Sequence, residues 1–273
     1  MYVRYIDQLV VVLQNNNGSD RMDLQLAGKV ALVTGASMGL GRSIAALLAE
    51  EGCRLAIVAR RVSLLEKVAN EIAAAGRESP LIIVEDITSD GAAERIKVQA
   101  MARFGSLDVL VNNAGGSRPQ SGLGTEEEWE EAMLLNYTAG RRLAHAFVPM
   151  MRERKFGRII NITGGDEPTI VNAANPPNGA VHIWAKALSR NVARDGITVN
   201  CVVPGKIHSE QIDQRILPTT EAREAWIEQH CPVGYIGEPD DLGVLVTFLC
   251  SPRARYITGQ VMHVDGGVRR YSH

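Results

Sequence analysis

The sequence predicts an α/β domain built on a parallel sheet, and three observations carry that prediction. Short runs of Val, Ile and Leu alternate with longer amphipathic stretches from residue 29 onward. Most of the short runs are apolar almost without a break, as in strands covered on both faces. A turn holding three glycines joins the first run to the first amphipathic stretch. Strict strand–helix alternation implies right-handed crossovers. The expected fold is therefore a Rossmann-type, doubly wound sheet of about seven strands with helices on both faces, in three αβα layers.

The strands are expected at 29–34, 54–59, 81–84, 108–111, 158–163, 197–202 and 260–264. In the first helical stretch Leu40, Ile44, Leu47 and Leu48 mark one face, and Gly52 follows as a stop. The same reasoning gives helices over 62–75, 89–104, 126–154, 181–194 and 240–249. No repeat, low-complexity block or linker divides the pattern, so 24–273 is read as one domain. A substrate lid is expected at about 206–229, beyond the carboxyl end of a strand. Residues 1–23 precede the pattern and are read as an extension, expected to be a mobile arm.

Composition narrows the function classes. The 273 residues carry a formal net charge of −2, with 45% hydrophobic and 22% charged residues. That balance is ordinary for a soluble enzyme and lacks the basic bias of a nucleic-acid binder. Cys53, Cys201, Cys231 and Cys250 are scattered without metal-ligand spacing, so reduced thiols in a cytoplasmic protein are expected, with no metal. No apolar run approaches the roughly 20 residues needed to cross a bilayer, and no membrane association is expected.

The glycine-bearing turn reads Thr34-Gly35-Ala36-Ser37-Met38-Gly39-Leu40-Gly41. Glycines there let the backbone approach a pyrophosphate, and the following helix supplies free N–H groups and the positive end of its dipole. A dinucleotide is the implied cofactor. At the end of the second strand an acidic residue would accept from the adenosine ribose and repel a phosphate. This chain has Ala59, Arg60 and Arg61 instead. A guanidinium fork suits a phosphate dianion, so NADP(H) is favoured over NAD, with Arg60 as the expected ligand, Arg61 beside it and Ser37 assisting.

The T-G-x-x-x-G-x-G spacing resembles the short-chain dehydrogenase/reductase family, and further motifs match that family in order over about residues 24–268. They are Asn112-Asn113-Ala114-Gly115 after the fourth strand, Asp86 after the third, Asn136 in the long helix, Pro204-Gly205 after the sixth strand, and Val264-Asp265-Gly266-Gly267 at the last strand. The resemblance implies that Asp86, Ile87, Asn113, Ala114, Gly115, Pro204, Gly205, Ile207 and Ser209 join Gly35, Ser37, Met38, Gly39, Leu40 and Gly41 around the cofactor. It also implies a homotetramer or homodimer, paired through the 126–154 and 181–194 helices and the final strand.

The family's catalytic set is a Ser after the fifth strand, a Tyr and Lys spaced Y-x-x-x-K, and an Asn. Here the Ser position falls on Gly164, and the spacing is matched to His182-Ile183-Trp184-Ala185-Lys186, with Asn136 retained. Residues i and i+4 share a helix face, so His182 and Lys186 are expected together at the nicotinamide ribose. A neutral imidazole there would be a general base, and Lys186 a second cofactor ligand. His182 is otherwise an incidental helix residue. Thr163 and the loop acids Asp166 and Glu167 are further candidates for acid–base work.

Three functions follow. The first is an NADP(H)-dependent alcohol/ketone oxidoreductase with a His-Lys-Asn site. The second is a lyase, dehydratase or hydrolase on the same scaffold, since function resides in the site. The third is a dinucleotide-binding partner subunit without catalysis. Glu210, Gln211, Asp213, Gln214 and Arg215 in the lid, with Arg118, point to a small polar substrate.

Overall fold

The computed structural model describes residues 22–120, 122–165, 167–168 and 170–271, so all but the last two residues of the expected extension lie outside it, as does Asp166. Seven parallel strands form one sheet: β1 (Val30–Thr34), β2 (Arg54–Ala59), β3 (Leu81–Val84), β4 (Val109–Asn112), β5 (Gly157–Ile162), β6 (Ile197–Pro204) and β7 (Val261–Val264). Their order across the sheet is β3-β2-β1-β4-β5-β6-β7. The direction of winding reverses between β1 and β4, where Ala31, Leu32 and Val33 pair with Val109, Leu110 and Val111. A crevice opens at such a reversal, beyond the carboxyl ends of the strands.

Period-two alternation sorts the strand side chains into two cores. Ala31 and Val33 of β1, with Leu55 and Ile57 of β2, pack under α1 (Gly39–Glu50), α2 (Val62–Ala74) and, later in the chain, a helix over Pro239–Cys250. Val30 and Leu32, with Ala56 and Val58, face α3 (Ala92–Phe104) and the helices over Ala139–Glu153 and Asn175–Val192. The three-layer architecture expected from the sequence is the one observed, with strand ends shifted by a residue or two.

Two helical expectations are corrected, and one further helix is added. The long helix over 126–154 is two helices, α4 (Glu126–Met133) and α5 (Ala139–Glu153), separated by a π turn at Leu134–Thr138. Such turns insert one residue into the ladder and are common at functional sites. The helix expected from 181 starts at Asn175, giving α6 (Asn175–Val192). Pro176 and Pro177 suggest a loop, but in a first helical turn the missing N–H groups have no intrahelical partner to lose. The polar segment expected as a lid carries a π turn at Ile212–Ile216 and a helix α7 (Thr220–His230), capped by the Thr219 hydroxyl accepting from Ala222 N. The Pro239–Cys250 helix is α8.

Buried charge pins the opposite edge of the sheet. Arg158 is 2% exposed and donates to the carbonyls of Gly157, Gly196 and Ser251. Burial lowers its pKa to about 10, which leaves it charged at neutral pH. Among the described residues no helix is long and apolar enough to cross a membrane, and no cluster of His, Cys, Asp and Glu could hold a metal ion.

Candidate active site

The β1–α1 turn closes against the end of β4. Asn113 N and Ala114 N both donate to Thr34 Oγ1 at 3.0 Å, and Asn113 Nδ2 donates to Thr34 O and Gly35 O. Gly35 has φ +64, and a Cβ there would lie 2.9 Å from Ala114 Cα; one on Gly41 would collide with the Gly35 carbonyl oxygen. Gly39 also adopts positive φ, at +52. Helix α1 begins after Met38 with no side-chain cap and no acid in its first turn. Its amino end is thus open to an anion, with backbone able to approach closely, which fits a pyrophosphate.

At the carboxyl end of β2, Arg60 is 77% exposed, with its guanidinium 3.7 Å from Asp86. The Thr88 hydroxyl and N–H, then Arg60, hold Asp86 below the usual carboxylate range. Ile87, next to it, packs against the core beneath β3. Arg61 reaches across to Glu210 of the lid at 3.4 Å and also touches the Met38 sulfur. Ser37 is 9% exposed in the turn between them. The end of β2 thus carries two cations and no carboxylate of its own, and each cation faces a carboxylate from another element, Asp86 or Glu210.

A cavity of about 570 Å³ continues from this turn over the ends of β4, β5 and β6. Leu40, Asn113, Gly115, Pro204, Gly205, Ile207 and Ser209 line it. Gly205 allows close packing, since a Cβ there would lie 2.5 Å from Asp265 Cα. Asn136 lines the cavity from the π turn; its Nδ2 donates to Ala132 O, and its Oδ1 accepts from Gly116 N at 2.9 Å.

The expected His182–Lys186 pair is not at this cavity. His182 is not a lining residue but shares a 2.9 Å hydrogen bond with the Oγ1 of Thr163, which is one, and Lys186 is exposed with its Nζ donating to Gly259 O at 3.1 Å. The pair with the same i, i+4 spacing that does line the cavity is Ala174 and Asn178. Because α6 starts early, His182 and Lys186 lie roughly two turns farther on, about 12 Å along the axis at 1.5 Å per residue. A count from the Asn-Pro-Pro-Asn run, with its prolines placed in the first helical turn, would have exposed the shift.

Gly164 and Asn178 are sterically coupled. Asn178 is 8% exposed, and a Cβ on Gly164 would lie 2.5 Å from its Nδ2. A serine side chain and this carboxamide cannot occupy the same space. Asn178 has no side-chain hydrogen-bond partner among the described residues and lines the cavity. Among the described residues the site floor is amide, hydroxyl and aliphatic: Asn136, Asn178, Thr163, Ala174 and Gly164 bring neither a phenol nor an ammonium.

Charge enters from the rim. Glu167 accepts from the N–H groups of Arg270 and Tyr271 at 3.0 Å each and lies 3.4 Å from Arg269. Those contacts, the Arg270 N–H foremost, hold it below the usual carboxylate range. Lys206 follows Gly205 and lines the cavity, with its ammonium 6.0 Å from the Trp226 ring of α7. Burial lowers its pKa. Neither Asn178 nor Lys206 is singled out by its sequence neighbourhood.

A family model described as enoyl-(acyl carrier protein) reductase matches residues 35–269. The 3-oxoacyl-(acyl-carrier-protein) reductase FabG of Vibrio cholerae serotype O1 is 37% identical over 250 residues, covering 90% of this chain and 99% of the relative. Its counterpart in Staphylococcus epidermidis is 38% identical, covering 88% and 98%. Among solved structures, L-sorbose reductase from Gluconobacter frateurii, complexed with NADPH and L-sorbose, superposes with a TM-score of 0.87 at 30% identity, covering 92% of this chain and 100% of the other. A 7α-hydroxysteroid dehydrogenase complexed with NADH gives a TM-score of 0.85 at 28% identity, covering 92% and 98%.

Proposed function

The chain belongs to the short-chain dehydrogenase/reductase family, and on that premise we propose that it is an NADP(H)-dependent oxidoreductase acting on a keto or hydroxyl group of a small polar molecule. The observation that carries this reading is the continuity of one cleft: Leu40 of the uncapped glycine turn and Asn178 of α6 line the same cavity. NADPH, when bound, supplies the hydride and NADP⁺ accepts it. Arg60, Arg61 and Ser37 hold the 2′-phosphate, and the α1 amino end holds the pyrophosphate. The NADPH- and NADH-bound structural neighbours support a nicotinamide dinucleotide of either kind. The arginines favour the phosphorylated one.

At the reacting end Asn178 is a polar group on the cavity floor with no side-chain hydrogen bond among the described residues. Its amide N–H can donate to a substrate oxygen and stabilise developing negative charge. A carboxamide does not exchange a proton near neutral pH, so the proton is taken from water in the open cleft. The chain is proposed to work in the cytoplasm as a homotetramer or homodimer, paired through α5, α6 and β7.

A second reading has its own support. Gly164, Ala174 and Asn178 put no proton-carrying group on the cavity floor, as suits a subunit that binds dinucleotide without turning it over. Stereospecifically 4-deuterated NADPH, offered with a panel of polar ketones, separates the two. Saturable binding with deuterium appearing in product supports the oxidoreductase, and Asn178→Ala should then lower turnover more than NADPH affinity. Binding without deuterium transfer supports the subunit. Absence of binding overturns both.

A further inference from the structure

Half-buried Lys206 has no carboxylate partner among the described residues. An ammonium withdrawn from water is costly unless an anion or several acceptors compensate it. Burial alone perturbs Lys206, with no carboxylate contributing. Its named neighbour is the Trp226 ring, at the outer limit of a cation–π contact. The cavity's described carboxylate, Glu167, is already held by Arg269 and by two backbone N–H groups. Arg215, on the lid's π turn, lines the same cavity and has no carboxylate partner among the described residues.

Two cations without a carboxylate partner among the described residues thus line one cavity whose floor is amide and hydroxyl. Lys206 follows β6 directly and is anchored by its neighbours: Gly237 N donates to Lys206 O at 3.0 Å, and Ile207 is 4% exposed. Arg215 rides on the lid. We propose that Lys206 and Arg215 form an oxyanion subsite, and that the substrate is a small keto or hydroxy compound bearing a carboxylate or a phosphate. The anion compensates the Lys206 ammonium from below and draws Arg215 from the lid above. Asn178 is left for the neutral oxygen that reacts. The inference rests on the oxidoreductase reading for which oxygen reacts, but the anion subsite is testable without turnover.

The protein saturated with NADP⁺ is titrated with malonate, with inorganic phosphate and with neutral malonamide, by calorimetry and by tryptophan emission, since Trp226 adjoins Lys206. Malonate or phosphate is expected to bind at least tenfold more tightly than malonamide. The tighter of the two anions identifies the substrate's acidic group. Lys206→Met should weaken that anion at least tenfold, and the exposed Arg215→Gln should weaken it several-fold, with NADP⁺ affinity unchanged in both. Arg215→Gln keeps the test decisive should Lys206→Met fold poorly. Equal binding of malonamide and malonate overturns the subsite, as does undiminished anion binding in the folded variants. Loss of NADP⁺ affinity in Lys206→Met also overturns it, by assigning the lysine to the cofactor. Failure of the wild-type protein to bind NADP⁺ at all defeats the functional reading separately.

Discussion

At the residue scale, Gly164 and Asn178 show how one substitution constrains another. With Asn178 Nδ2 2.5 Å from where a Gly164 Cβ would lie, Gly164→Ser forces the carboxamide aside. Such overpacking typically costs about 1–3 kcal/mol. Gly164→Ser is expected to lower stability by that order, and Gly164→Ser with Asn178→Ala should recover most of it. A double-mutant cycle from urea unfolding measures the coupling; additive effects would show that the two side chains do not compete. The arginines at the end of β2 give a second prediction. Charge-assisted hydrogen bonds contribute roughly 1.5–3 kcal/mol, so Arg60→Ala or Arg61→Ala should weaken NADPH by about 10-fold or more and leave NADH nearly unchanged. Both arginines already face a carboxylate in the free protein, Arg60 at Asp86 and Arg61 at Glu210, so either must exchange that partner for the phosphate.

At the element scale, the interrupted helix and the early start of α6 decide which side chains meet. The π turn carries Asn136 to Gly116 N, linking α4–α5 to the strand-end loop of β4. Helix α5 is then anchored by Leu143, Phe147 and Met151, each no more than 1% exposed. Phe147→Ala should lower unfolding free energy by about 3–5 kcal/mol, the usual cost of emptying a buried aromatic site; a loss under 1 kcal/mol would mean the layer collapses to fill the void. In α6 the stripe at Trp184, Leu188 and Val192 turns inward: Val192 is fully buried, and Trp184 meets Tyr137 edge-on at 6.3 Å. Its spacing reads equally as core or partner contact in the sequence, because both demand the same apolar face.

Across the whole molecule, burial sorts the four thiols. Cys53 and Cys201 are pushed up to about 12, chiefly by desolvation, and the fully buried Cys250 is raised well above its ordinary value for the same reason. A raised thiol pKa keeps the group protonated and unreactive at neutral pH. Cys231, half-exposed beside the lid, is not walled in that way. One thiol per chain should therefore react quickly with a disulfide reagent at pH 8, and four only after denaturation. Fast labelling of a second thiol would place one of the buried cysteines in an opening region.

The order of the strands, the glycine turn and the arginines after β2 were legible along the chain because each depends on neighbours in sequence. Apolar alternation sets which face of a strand is covered, and a strand-to-helix turn sets where an anion can sit. The cavity floor was not legible in the same way. It depends on where α6 begins, and the local proline signal argued for a loop while the fold used those prolines as a first helical turn. That shift moved His182 and Lys186 out of the cavity and brought in Ala174 and Asn178. Lys206 likewise has no local signature, since its missing counter-ion exists only once β6, the lid and the C-terminal segment are packed together. Local pattern along the chain was enough for a Rossmann-type parallel sheet with a glycine turn suited to a dinucleotide. Which side chains line the cavity depends on long-range packing, which, unlike periodicity, is not written in any one segment.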